Sequence, residues 1–77
     1  MAFSYEIEQP LGILSGSEDG RYTVEVNMIS YNGARPKLDI RKWDREKNRM
    51  QKGIVLTWEE TQKLLEVIQD LTGADFR

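Results

Sequence analysis

Residues 21–43 constrain the chain most: two alternating runs joined by Asn32-Gly33. In the first run Tyr22, Val24, Val26 and Met28 fall on one side, and Thr23, Glu25, Asn27, Ile29 and Tyr31 on the other. That is the period of a strand, not of a helix. Asn-Gly accepts the positive φ that a tight hairpin demands, and the connection runs on through Pro36. The second run, residues 37–43, puts Leu38 and Ile40 on one side and Lys37, Asp39, Arg41 and Trp43 on the other. An antiparallel ribbon is therefore the seed of the fold. With Leu38 and Ile40 taken as the core side, Lys37, Arg41 and Trp43 share an outer face, and Tyr31 joins them near the turn.

The flanking segments extend this ribbon. Phe3, Tyr5 and Ile7 alternate with Ser4, Glu6 and Glu8, a further strand. Pro10 interrupts its pairing, and residues 11–15 resume it as an edge or a bent continuation. Residues 16–20 read as a turn and residues 44–51 as an irregular polar loop. Residues 52–56 form a fourth short strand. Thr57-Trp58-Glu59-Glu60 then fits a capping box. Behind it Trp58, Thr61, Leu64, Leu65, Ile68 and Leu71 lie at helical spacing, with Gly73 as the stop. Strands followed by a helix give an α+β domain over residues 1–77, a four-stranded antiparallel meander with one face covered by a C-terminal helix.

Composition removes whole classes of chemistry. The 77 residues include no Cys and no His, so a thiolate zinc site, a cysteine nucleophile and the commonest general base are all excluded. Glu59 and Glu60 are adjacent on a helix and point to different sides. Glu18 and Asp19 sit in a turn too short for a calcium loop. No glycine-rich phosphate loop precedes the helix. The expectation is a protein that is not an enzyme and uses no cofactor or metal. No apolar run is long enough to span a membrane, and the first residues lack a signal peptide's basic flank and apolar stretch. A cytoplasmic, nucleoid-associated protein is expected.

Charge is segregated. Residues 35–52 carry eight basic side chains against three acidic ones, a net of +5, while the rest of the chain is at −7. Cations framing flat rings on an open sheet face suit single-stranded nucleic acid, because cations neutralise phosphates and rings stack on unpaired bases. The helix, with Glu59, Glu60, Glu66 and Asp70 against Lys63, would repel phosphates, which disfavours major-groove reading of a duplex. A second reading is a dimeric interaction module whose basic groove docks an acidic partner segment. Individual residues keep bland alternatives. Trp43 could be core closing the end of the sheet, Tyr31 a cross-strand partner, and Trp58 core or interface. Lys52 by strict alternation lies beside Ile54 and Leu56, unless Gly53 marks a bulge that reorients it.

Leu38-Asp39-Ile40-Arg41-Lys42-Trp43, a polar loop, Met50-Gln51-Lys52-Gly53-Ile54 and a helix opening with two glutamates together resemble the positive cofactor four transcriptional coactivators. The short bacterial members, with a similar Leu-Gly-Ile-Leu-Ser segment and Tyr-Asn-Gly hairpin, look most alike. The resemblance implies a curved four-stranded antiparallel sheet with a C-terminal helix, assembled as a homodimer. It implies binding of single-stranded DNA with little sequence preference, with RNA as a second candidate, in transcription regulation, replication or repair. By resemblance Tyr31 stacks on bases, Arg41 and Lys52 bind the strand, Trp43 matches an aromatic that follows the arginine, and Arg49 matches a basic loop residue. It also favours the bulge reading of Lys52. Face geometry adds Arg35 and Lys37.

Overall fold

The computed structural model describes residues 3–71. It contains β1 (Tyr5–Gly16), β2 (Tyr22–Tyr31), β3 (Lys37–Asp44), β4 (Arg49–Leu56) and α1 (Trp58–Gln69). The strands make one antiparallel sheet in chain order, followed by the helix, so the α+β class read from the sequence holds. The central hairpin is regular. Thr23 faces Trp43, Val26 faces Ile40 and Met28 faces Leu38 without a register shift. Asn32 (φ 51°) and Gly33 (φ 77°) turn it in the left-handed region, where Asn and Gly are best tolerated.

The outer strands depart from simple alternation. In β1 the register slips after Ile7, after Pro10 and after Ile13, leaving Glu8, Leu11 and Leu14 as extra residues. Each bulge bends the strand and resets its faces. Pro10 is accommodated because β1 is an edge strand. The polar loop expected over residues 44–51 is shorter than that. Strand β3 continues through Asp44, and β4 begins at Arg49. The turn between them is closed by Asn48 at φ 51° and by the Lys47 N–H donating to Asp44 Oδ1 at 3.3 Å, and the Arg45 N–H ties it to the Arg21 carbonyl ahead of β2 at 2.6 Å. Strand β4 carries the bulge, since Arg41 pairs with Gly53 but Trp43 pairs with Met50. Gln51 and Lys52 therefore share the place opposite Lys42.

Helix α1 starts as the capping box requires. The Glu60 N–H donates to Thr57 Oγ1 at 3.1 Å, and the Thr57 N–H donates to Glu60 Oε1 at 2.9 Å. Gly73 lies outside the described residues. The helix does not cover a sheet face as expected: among the described elements it touches only β3 and β4, and none of its residues is buried. A single residue, Thr57, separates it from the edge strand β4, so it leaves the sheet at its margin.

The expected inside and outside of the central ribbon also need correction. The side that carries Asp39, Arg41 and Trp43 is the more deeply buried. Trp43 and Asp39 are both 0% exposed, and Ile29, Glu25 and Asn27 on the same pleat are buried too. On the other side Leu38 is buried while Val24, Val26, Met28 and Ile40 are half-buried. A face rich in charge can turn inward when its charges satisfy one another, and that is what happens here. Among the described residues no helix is long and apolar enough to cross a membrane.

Candidate nucleic-acid interface

Alternation along β3 brings Asp39 and Arg41 to one face, and the β2–β3 register sets Asn27 and Glu25 opposite them. Asp39 is the hub. Arg41 Nε donates to Asp39 Oδ1 at 2.6 Å and Nη2 to Oδ2 at 2.7 Å, a two-point pairing of guanidinium and carboxylate. The Tyr31 hydroxyl also donates to Asp39 Oδ2 and accepts from Arg41 Nη2 at 3.3 Å. Burial, with the Asp39 carboxylate at its hydroxyl, pushes the Tyr31 phenol up to about 12. Arg41 Nη1 donates to the Gln51 carbonyl at 3.0 Å, tying the group to the β4 bulge. Gly53 makes this route possible. A Cβ there would stand 2.0 Å from the Arg41 Cβ and 2.8 Å from the Ile40 carbonyl oxygen. The Lys-Gly-Ile element and the Asp-Ile-Arg element are thus one physical unit, in which glycine gives the arginine room to cross the neighbouring strand.

A second pair lies farther along the same face. Arg45 Nε donates to Glu25 Oε2 at 2.8 Å, Nη2 donates to Oε1, and the Thr23 hydroxyl adds a bond to Oε2 at 2.5 Å. The Arg45 guanidinium holds the Glu25 carboxyl below the usual carboxylate range. It also lies 4.4 Å from the Trp43 ring centroid, and the Tyr5 ring approaches Trp43 at 5.9 Å. Trp43 is enclosed, and among the described residues its Nε1 has no hydrogen-bond partner. The expectation of an open Trp43 ring on the outer face is overturned. The Arg45 guanidinium and the β1 aromatic enclose it, and its alternative reading, as core, is the one the geometry supports.

The basic residues divide accordingly. Arg41 is not an open arm, because Asp39, Tyr31 and Gln51 take up its donors. Arg45 is likewise committed to Glu25. The other six basic residues of the 35–52 block, Arg35, Lys37, Lys42, Lys47, Arg49 and Lys52, are exposed and outside the ion pairs of the described residues. They do not share one face. Lys37 belongs to the pleat of Tyr31 and Arg41, whereas Lys42 lies on the opposite pleat, its Nζ 4.5 Å from the Tyr22 ring centroid. Arg35 and Lys37 mark the end of the sheet at the Asn32-Gly33 turn, and Lys47 and Arg49 mark the other end. Lys52 sits on the bulge between. The result is a discontinuous cationic track about 23 Å long, from seven strand steps at about 3.3 Å each.

Sequence reasoning missed the rings that surround Tyr31. Tyr5 pairs with Tyr31 across β1 and β2. Phe3 stands 5.9 Å from Tyr31 and 6.2 Å from Tyr5, and Tyr5 stands 6.5 Å from Tyr31, all mutually tilted. Phe3 is 66% exposed and Tyr5 38%. The alternation of Phe3 with Tyr5 was visible in the sequence, but the three bulges of β1 kept the register that delivers them to Tyr31 from being read. Among the described residues no group of three or more potential ligands could hold a metal ion.

Two comparisons with known proteins bear on this surface. The family model described as Transcriptional Coactivator p15 (PC4) matches residues 21–67, from β2 into the helix. An uncharacterised protein of Treponema pallidum (strain Nichols) is 37% identical over 70 residues, covering 91% of this chain and 81% of that protein.

Proposed function

The chain belongs to the Transcriptional Coactivator p15 (PC4) family, and from that premise we propose that residues 1–77 form one homodimeric, non-enzymatic domain that binds single-stranded DNA with little sequence preference. The family supports a nucleic-acid partner and a nucleoid or cytoplasmic setting. The observation that carries the reading is local. Tyr31, whose hydroxyl is held by Asp39 and Arg41, stands at the hairpin end of the sheet, where Arg35 and Lys37 are exposed and outside the ion pairs of the described residues. A fixed ring beside unneutralised cations offers stacking and phosphate neutralisation together. Arg49 and Lys52 extend the electrostatic part along β4. Arg41 contributes by positioning Tyr31, and Trp43 by supporting the layer beneath it.

The proposal of a homodimer rests on apolar surface that a single chain leaves in water. Trp58 is 62% exposed, Leu65 and Ile68 are more than half exposed, and Ile54 on β4 is exposed beside them. Exposed apolar rows of this kind mark association surfaces, and a second copy related by two-fold symmetry would cover both at once.

Anisotropy titration with labelled oligothymidine tests the function. With the four open cations Arg35, Lys37, Arg49 and Lys52, the logarithm of the binding constant is expected to fall with the logarithm of salt at a slope of about −3. Tyr31→Ala is expected to weaken binding with that slope unchanged, and Lys52→Ala to weaken binding and flatten it. An acidic peptide docking through the same cations would show the salt dependence without the dependence on the Tyr31 ring. Equal affinity for duplex and single strand across salt would overturn the reading.

A further inference from the structure

We propose that Phe3, backed by Tyr5, is a stacking surface for unpaired nucleobases that extends the one at Tyr31. This rests on the single-stranded DNA reading above. The four rings form a connected cluster that runs from the interior to the surface. Trp43 is fully enclosed, Tyr5 packs on it at 5.9 Å, Tyr31 is half-buried beside Tyr5, and Phe3, 5.9 Å from Tyr31, is the most exposed at 66%. An apolar ring that far into solvent at the lip of an aromatic cluster gains only part of its burial within the chain and leaves most of its surface open to a stacking partner.

Its position is fixed by backbone bonds at the next residue together with the ring's own contacts on Tyr5 and Tyr31. The Ser4 N–H donates to Asn32 Oδ1 at 2.9 Å, and the Asn32 N–H donates back to the Ser4 carbonyl at 2.9 Å. This reciprocal clamp joins the residue after Phe3 to the hairpin turn that also bears Tyr31. Asn32 serves it from the left-handed conformation, φ 51°. A ring held in place before its ligand arrives loses less conformational freedom on binding. The phosphates of a strand lying across Phe3 and Tyr31 would meet Arg35 and Lys37 at the same end of the sheet, with no acidic partner there to compete in the ion pairs of the described residues.

The same geometry assigns the ligand class. Phe3 has no polar atom, and the Tyr31 hydroxyl is turned inward to Asp39 and Arg41. Neither ring can read a base edge by hydrogen bonding, so the surface accepts any base through its π-face. A paired base, covered on both faces by its neighbours, is excluded.

The test compares Phe3→Ala, Phe3→Leu and Phe3→Trp in the full chain, each titrated with labelled oligothymidine across a salt series, with the mass in solution measured in parallel. Loss of one stacked base is expected to weaken binding roughly ten-fold in Phe3→Ala, with the salt slope of the unaltered chain retained. Phe3→Trp is expected to bind at least as tightly as the unaltered chain. Phe3→Leu, which keeps apolar bulk but no ring, is expected to behave like Phe3→Ala. Full binding by Phe3→Ala or Phe3→Leu would overturn the assignment, as would a change in solution mass that accompanies the loss. Failure of the unaltered chain to bind any oligonucleotide would instead overturn the functional reading beneath it.

Discussion

Gly53 shows how much one absent side chain can decide. An alanine methyl there would overlap Arg41 and press on the backbone of Ile40. Gly53→Ala is therefore expected to destabilise the fold by about 1–3 kcal/mol or more, measured by urea unfolding, and to weaken oligonucleotide binding by shifting Arg41 and Tyr31 together. The Tyr31 hydroxyl can be tested apart from its ring. Tyr31→Phe removes one of three donors from a fully buried carboxylate, expected to cost about 1–3 kcal/mol, while the stacking face persists and binding is expected to weaken less than in Tyr31→Ala. The Tyr31 phenol, pushed up to about 12, gives this contact a pH signature. The neutral phenol is the form the folded chain favours, so its contribution is complete below the ordinary tyrosine pKa of about 10 and is lost as pH rises from there toward 12. Near-ultraviolet tyrosinate absorbance should show one tyrosine ionising late, together with unfolding. Trp43→Ala, by contrast, should cost about 3–5 kcal/mol, the range for emptying a core aromatic site. Its effect on DNA binding should follow loss of structure, visible in the same urea melts.

The elements that were legible are those governed by local rules. The β2–β3 hairpin follows from strict alternation and Asn32-Gly33. The start of α1 follows from Thr57 and Glu60, whose reciprocal bonds are both made. Thr57→Ala is expected to cost about 1 kcal/mol of stability, read from the thermal midpoint. Strand β1 was not legible in the same way. Its three bulges break the period of two, so the segment through Pro10, Leu11 and Leu14 carries no alternation to read. The β3–β4 connection reads in the sequence as a loop over residues 44–51, and its tightness is hidden because Asn48 supplies the positive φ that a glycine would have announced. The bulge in β4 was half legible. Gly53 hinted at it, but its cause, Arg41 crossing the strand, lies on a partner strand fixed only by pairing.

For the whole molecule, stability depends on covering the apolar row on α1 and β4. If a second copy covers it, the thermal midpoint should rise with protein concentration, and replacing Leu65 and Ile68 together by Glu should give a monomer in sedimentation measurements, with a lower midpoint that no longer depends on concentration. Charge segregation, the α+β class, the hairpin and the helix cap were determined by the sequence itself, because each depends on neighbours a few residues apart. The identity of the inner face was decided only by the tertiary structure. Alternation distinguishes two faces but does not say which is enclosed. That depended on Asp39 meeting Arg41 and Tyr31, on Glu25 meeting Arg45, and on Tyr5 closing over Trp43. Apart from Asp39 and Arg41, which are neighbours on β3, these partners come from different elements, and once paired they no longer need water. The same pairing removed Trp43 and Arg41 from the set of open contacts and brought Phe3 and Tyr5 to the surface beside Tyr31.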